Sequence, residues 1–207
     1  MIEQKTFTDT PPFEYIKAKK WADRVMELLS PHCDIIHIAG SIRRECTYVK
    51  DIEIVCIPKK VFEATDLFGG GELKISKGFI DTVEQMKESI VKGKFGGRYM
   101  QVILRGGIKM DLFTPEKEDY YRQLAIRTGS ADYSFKVIAN GWTNLGWCGT
   151  SIGLRRKSDC FAIRDKEGKK IVGWKCINNN GEHPPPWTSE ESLFEWLGVR
   201  WVDPKYR

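Results

Sequence analysis

Residues 51–58 read DIEIVCIP, and this run constrains the chain more than any other. In an extended strand alternate side chains face opposite ways, so Asp51 and Glu53 share one face and Ile52, Ile54 and Cys56 the other. A row of β-branched residues needs a covered sheet face. Two carboxylates set side by side repel each other, and a sequence that places them so calls for a cation. Further strands lie within reach. DIIHIAG (34–40) is a short buried strand, and MQVIL (100–104) and IKMDLF (108–113) flank Arg105-Gly106-Gly107, a hairpin signal. Asp111 sits on the second arm of that hairpin, which can pair beside 51–55 and add a third carboxylate. Three oxygen donors without His or Cys favour a hard ion, Mg²⁺ or Mn²⁺.

Around these strands the pattern is helical. Thr10 before Pro11 reads as an N-cap with proline at the first helical position. Ala18, Trp21, Ala22, Val25, Leu28 and Leu29 then predict an amphipathic helix over 11–30. LFGGGELKISKG (67–78) reads as a loop, and Phe79, Ile80, Val83, Met86 and Ile90 predict a helix after it. Thr114-Pro115 breaks the pattern, which divides the chain into 1–115 and 116–207. Beyond it, EDYYRQLAIR is helical, TGS turns, and ADYSFKVIAN is a second helix with Gly141 as its C′ residue. Short strands follow around TSIGL, FAIR and IVGWK, with a turn at 165–168, and 178–186 is a loop. Thr188 and Glu191 form a capping-box pair for a last helix ending at Gly198. The fold class is α+β.

Composition narrows the function. With 41% hydrophobic and 29% charged residues the chain is globular, not disordered. No apolar run approaches the roughly 20 residues of a membrane span. MIEQKTFTDTPPFEY lacks a signal-peptide core, so the expectation is an intracellular protein, of cytoplasm or nucleoid or encoded by a virus. Six cysteines without a CxxC, and three dispersed histidines, exclude a zinc motif and read as reduced, buried thiols. Gly69-Gly70-Gly71 lacks the lysine and spacing of a P-loop. Trp142, Trp147, Trp174, Trp187, Trp196 and Trp201 could stack on bases but read as core. The stretch 155–170 carries seven basic against three acidic residues; it is either a solvated hairpin or a phosphate contact, with Arg155 and Arg156 at its head.

Directly after the strand at 34–40 comes the loop Gly40-Ser41-Ile42-Arg43-Arg44. Glycine lets backbone approach a ligand, serine offers a hydroxyl, and arginine forks match phosphate oxygens. A phosphate cradle ahead of a carboxylate pair is what Mg-nucleotide chemistry needs.

AGSIRRECTYVKDIEIV resembles the GS-x-RR…D-x-D signature of the nucleotidyltransferase palm in family X (beta-like) DNA polymerases. GGIKMDLF resembles the strand bearing the third palm carboxylate, DYYRQLAIRTGSADYSFKVIA the thumb segment with its TGS element, and EESLFEWLGVRWVDPKYR the C-terminal LG-x-x-Y-x-x-P-x-x-R ending. The likeness runs from about residue 13 to 207, loosely over 59–95 and 150–187. It implies a palm (1–115; a mixed sheet with flanking helices) and a small α/β thumb (116–207). Asp51 and Glu53 would bind two metal ions, and Asp111 would bind the catalytic ion and accept the primer hydroxyl proton. Gly40, Ser41, Arg44 and Gly129 would hold the nucleotide. Lys109 would touch the primer end; Arg127 and, from the basic stretch, Arg155 and Arg156 are the further candidate nucleic-acid contacts.

Three departures stand out. Glu53 replaces the second Asp, as in aminoglycoside nucleotidyltransferases. Ile126 and Arg127 stand where the family has an aromatic pair. Only one helix precedes the palm, which leaves no room for fingers or a lyase domain. The implied activity is transfer of a nucleoside monophosphate from a dNTP to a DNA 3′-hydroxyl, releasing pyrophosphate. The alternative acceptors are a small-molecule, antibiotic-like hydroxyl and an RNA 3′ end. Oligomeric state stays open.

Overall fold

The computed structural model describes residues 12–64, 70–177 and 181–207. Its first half runs β1 (Phe13–Glu14), α1 (Tyr15–Leu29), β2 (Cys33–Ile38), α2 (Gly40–Arg43), β3 (Tyr48–Val49), β4 (Asp51–Pro58), β5 (Lys60–Ala64) and β6 (Gly71–Ile75), followed by α3 (Lys77–Met86), β7 (Lys87–Gly93), β8 (Tyr99–Leu104) and β9 (Lys109–Phe113). Five strands form one sheet in the order β2-β4-β9-β8-β7. β4 and β9 run parallel and the other neighbours antiparallel, so the sheet is mixed.

Alternation along these strands sorts residues onto two faces. Ile52, Ile54 and Cys56 join Met100, Val102, Leu104, Met110 and Leu112 beneath Ala18, Ala22, Val25 and Leu29 of α1 and Phe79 and Val83 of α3. Each large aliphatic buried there contributes about 1.5–3 kcal/mol. Val55 and Phe113 point the other way and pack with Ala39, Tyr120 and Leu124. That second face is held by Tyr120, whose hydroxyl donates to Val55 O (3.0 Å) and meets His37 Nδ1 (2.7 Å).

The second half continues with α4 (Tyr120–Thr128), α5 (Ala131–Tyr133), a π-helical stretch (Ser134–Ala139) and α6 (Asn140–Asn144). After them come β10 (Trp147–Thr150), β11 (Gly153–Arg156), β12 (Cys160–Arg164), β13 (Ile171–Cys176) and α7 (Glu190–Trp196). β10 pairs with β11 and β12 with β13, both antiparallel. A separate core gathers Ala125, Ile138, Leu154, Leu193, Phe194 and Leu197 with Trp142, Trp147 and Trp187, and Trp196 and Trp201 pack at its edge. Trp142, Trp147 and Trp187 are core, as expected; Trp196 and Trp201 are partly buried against it, and Trp174 is half-buried on β13. No helix among the described residues is long and apolar enough to cross a membrane.

Several elements differ from the sequence expectation. α1 begins at Tyr15, because Phe13 and Glu14 pair as a ribbon with Val49 and Tyr48; Thr10 and Pro11 lie outside the described residues. Residues 71–75 form a strand paired with β5, not a loop. α3 stops at Met86, and Ile90 belongs to β7, where hydrogen bonding to β8 overrides the helical spacing. Gly40 to Arg43 make one helical turn instead of a loop. Gly141 is inside a helix, where a Cβ would press on Leu197 at 3.1 Å; the left-handed residue past the helix end is Gly146 (φ +82°). The capping box lies one residue on from Thr188, as Ser189 Oγ accepts from Ser192 N (3.1 Å) while Ser192 Oγ accepts from Ser189 N (3.1 Å).

Candidate active site

The parallel seam between β4 and β9 places Asp51 opposite Lys109 and Glu53 opposite Asp111. All four belong to the sheet face turned away from α1. Asp111 is anchored from the neighbouring strand: its Oδ1 accepts from Tyr99 Oη (3.0 Å) and Gln101 Nε2 (2.6 Å). Burial, then the charges of Asp51 and Asp111, push the Glu53 carboxyl up to about 7, against the pull of Arg127 and Arg44. Asp51 is likewise raised, by burial first and Asp111 second, with Lys109 and Lys50 opposing. This is a site with surplus negative charge. Strand register rather than rotamers brings the acids together, and among the described residues no three such side chains are gathered into a ready-made ligand cluster.

Gly40 forms the wall beside Glu53. Its φ is +63°, and a Cβ there would stand 1.8 Å from Glu53 Oε2, so only glycine fits. The adjoining Ala39 N–H donates to Glu53 O (2.8 Å), which fixes the turn on β4. Ser41 follows, half-buried, with its carbonyl accepting from Cys46 N (3.0 Å). Arg44 Nη1 donates to the carbonyls of Thr128 (2.6 Å) and Gly129 (2.9 Å). Thus Gly129 and Arg44 meet directly, at the C-terminal end of α4.

Arg43 fastens the same turn to the C-terminal half. It donates to Thr128 Oγ1 (2.6 Å) and makes a two-pronged bond to Glu190 (3.1 and 2.6 Å). Arg207 Nη1 donates to Glu190 Oε1 (2.9 Å), the oxygen that Arg43 Nη1 also reaches, and its guanidinium lies over Phe194 at 4.9 Å. Burial alone would push Glu190 up; bonds from Arg43 and Arg207 outweigh it and hold the carboxyl below its ordinary range. Sequence reasoning missed Glu190 and Arg207 as partners, since nothing in their spacing links them to Arg43. It also missed Tyr99 and Gln101, although their alternation with Met100 and Val102 would have put them on the Asp111 face.

Beside the acids opens a cleft of about 520 Å³, whose lining includes Glu53, Tyr99, Asp111, Arg122, Arg127 and Thr150. Arg127 lies over the Phe113 ring at 4.1 Å, and its buried Nε has no hydrogen-bond partner. Burial lowers its pKa while Glu53 holds it up. A larger hollow, about 730 Å³, lies elsewhere, among Ile57, Leu73, Ile75 and Phe95, and includes none of the three carboxylates.

The head of the basic stretch is otherwise engaged. Arg155 is 7% exposed, with Nη1 bonded to Leu154 O (2.7 Å). Arg156 clasps Glu182 through Nε and Nη2 (2.7 Å each) and lies 4.3 Å over Trp147. Arg155 is thus buried, whereas Arg156 stays at the surface in an ion pair with the exposed Glu182. Comparison of the chain with protein-family models and with curated proteins finds no match.

Proposed function

We propose that the chain is a metal-dependent nucleotidyltransferase of the family X DNA polymerase type, joining a nucleoside monophosphate to a nucleic-acid 3′-hydroxyl. The observation that carries this reading is the parallel register setting Glu53 against Asp111, with the Gly40 turn closed over Glu53. The donor set fits a hard divalent cation: three carboxylates and no thiol or imidazole, with Glu53 drawn toward its neutral form by burial and then by the neighbouring acids. Asp51, Glu53 and Asp111 would hold two such ions, Mg²⁺ or Mn²⁺, whose chemistry is stabilisation of the attacking and leaving oxygens of an in-line displacement that releases pyrophosphate.

The chain's own residues divide the rest of the work. Asp111 Oδ1 is taken by Tyr99 and Gln101, which leaves Oδ2 to accept the proton of the acceptor hydroxyl. Arg44 and Ser41, on the turn that begins at Gly40, receive the triphosphate, Arg44 exchanging the carbonyls of Thr128 and Gly129 for phosphate oxygens. Arg127, with its unpartnered Nε in the cleft, and Lys109, across from Asp51, offer cations toward the nucleic acid.

Primer extension with labelled dNTPs tests this, run with Mg²⁺ and with Mn²⁺ on templated DNA, single-stranded DNA, RNA ends and small-molecule hydroxyls. Transfer to a 3′ end that Asp111→Asn abolishes is the expected result. Transfer to small molecules alone would establish the rival acceptor, and an unimpaired Asp111→Asn would overturn the assignment of the base.

A further inference from the structure

Three of the six cysteines, 148, 160 and 176, come together on β10, β12 and β13. β12 and β13 set Cys160 directly opposite Cys176. The Cys160 thiol is hydrogen-bonded to both Cys148 and Cys176, while Cys148 Sγ also contacts Arg155 O at 3.5 Å. Ile177 N donates to Asp159 O (2.8 Å), which makes 159/177 a hydrogen-bonded pair. The next pair in register, 160/176, is therefore a non-hydrogen-bonded one, where facing Cα atoms approach to about 4.5 Å. That separation lies inside the roughly 4.4–6.8 Å span that a disulfide bridges without backbone movement. No disulfide joins any of the six cysteines in this structure. Cys176 is the most accessible of the three, being half-buried, whereas Cys148 is 1% and Cys160 9% exposed.

We propose that Cys160 and Cys176 are a thiol–disulfide exchange site, oxidised reversibly by a low-molecular-weight disulfide of the glutathione type. Cys176 Sγ, as thiolate, attacks one sulfur of the reagent, forming a mixed disulfide and expelling the first reagent thiolate. Cys160 Sγ then loses its proton and attacks Cys176 Sγ, expelling the second. Two protein thiols are oxidised, one reagent disulfide is reduced to two thiols, and the two protons released pass to the departing thiolates. Burial and the neighbouring thiols push the Cys160 thiol up to about 12, which makes the second step the slow one; its partner's placement across the ladder supplies the compensating proximity. Cys148 stays reduced. β10, which carries it, ends at Thr150, which lines the cleft.

The test uses the full chain, reduced, desalted and incubated with glutathione disulfide, then alkylated and digested with trypsin. Cleavage places the three thiols on separate peptides, 137–155, 158–164 and 176–200. The expected product joins 158–164 to 176–200 and disappears on treatment with dithiothreitol, while Cys33 and Cys56, both buried in the sheet core, are alkylated only after unfolding. Cys160→Ser should halt at glutathione on Cys176, and Cys148→Ser should leave the cross-link unchanged. A wild-type protein that halts at the mixed disulfide, cross-links Cys148 instead, or does not react would overturn the proposal. None of these readouts depends on nucleotide transfer.

Discussion

Glu190→Gln isolates the charge at the centre of the Arg43–Glu190–Arg207 network with almost no change of shape. Glu190 and Arg207 side chains are 5% and 0% exposed, and Arg43 is 22% exposed. Removing the anion leaves two guanidinium groups facing each other across a neutral amide, one of them beyond the reach of water. Breaking a buried pair in this way costs about 3–5 kcal/mol, a large part of a total stability of about 5–15 kcal/mol. With a urea slope of about 2 kcal/mol per M, the unfolding midpoint at pH 7 should fall by about 2 M. The pH dependence follows from the lowered carboxyl. Its stabilisation is complete above the ordinary value of 4.5 and disappears as pH falls through the folded-state value, so the gap between wild type and variant should close in acid. Urea melts at pH 7 and pH 3, with an Arg207→Ala cycle, measure both. A penalty below about 1 kcal/mol at pH 7, or one equal at the two pH values, would show that the network is solvated and the reasoning wrong.

In metal-free protein, Glu53→Gln should raise stability above pH 7, by up to about 3 kcal/mol from the upward displacement of its carboxyl, and change nothing below pH 4.5; chelator-treated melts across that range check the sign. Added Mg²⁺ should stabilise wild type at pH 8 and the variant much less, by thermal shift. Gly40→Ala should lose about 1–2 kcal/mol from its left-handed backbone and weaken dNTP binding severalfold by displacing Glu53, read by urea melts and nucleotide titration. Arg155→Glu should destabilise the fold rather than loosen DNA binding, because the side chain is buried; circular dichroism separates the two.

The strands were legible where alternation was strict. DIEIV and KMDLF announced which side chains share a face, and the parallel seam brought the three acids to adjacent positions. Gly40 was legible as a place of close approach, though not its reason, which is the Glu53 carboxylate. Ile90 was misassigned because Phe79, Val83 and Met86 continue to it at helical spacing, and only the β8 partner reveals a strand. Residues 71–75 misled through glycine content, since the hairpin partner lies across residues that carry no strand pattern. Basic residues at 155 and 156 looked alike in sequence; Leu154 and Glu182 distinguish them only in three dimensions. The thiol cluster was invisible for the same cause, as register, not spacing, pairs Cys160 with Cys176.

The parallel join between β4 and β9 also dictates when the acids meet. β5, β6, α3, β7 and β8 lie between the two strands in the chain, whereas β8–β9 and β2–β4 are neighbours that zip locally. Loop closure over so long a segment is slow relative to hairpin formation. A folding chain therefore carries Asp51 and Glu53 on one fragment of sheet and Asp111 on another, each tolerable alone. The repulsion between Asp111 and that pair is added only as β9, already paired with β8, docks against β4, so this step of sheet assembly is the one that the third acid opposes and that a divalent cation would favour.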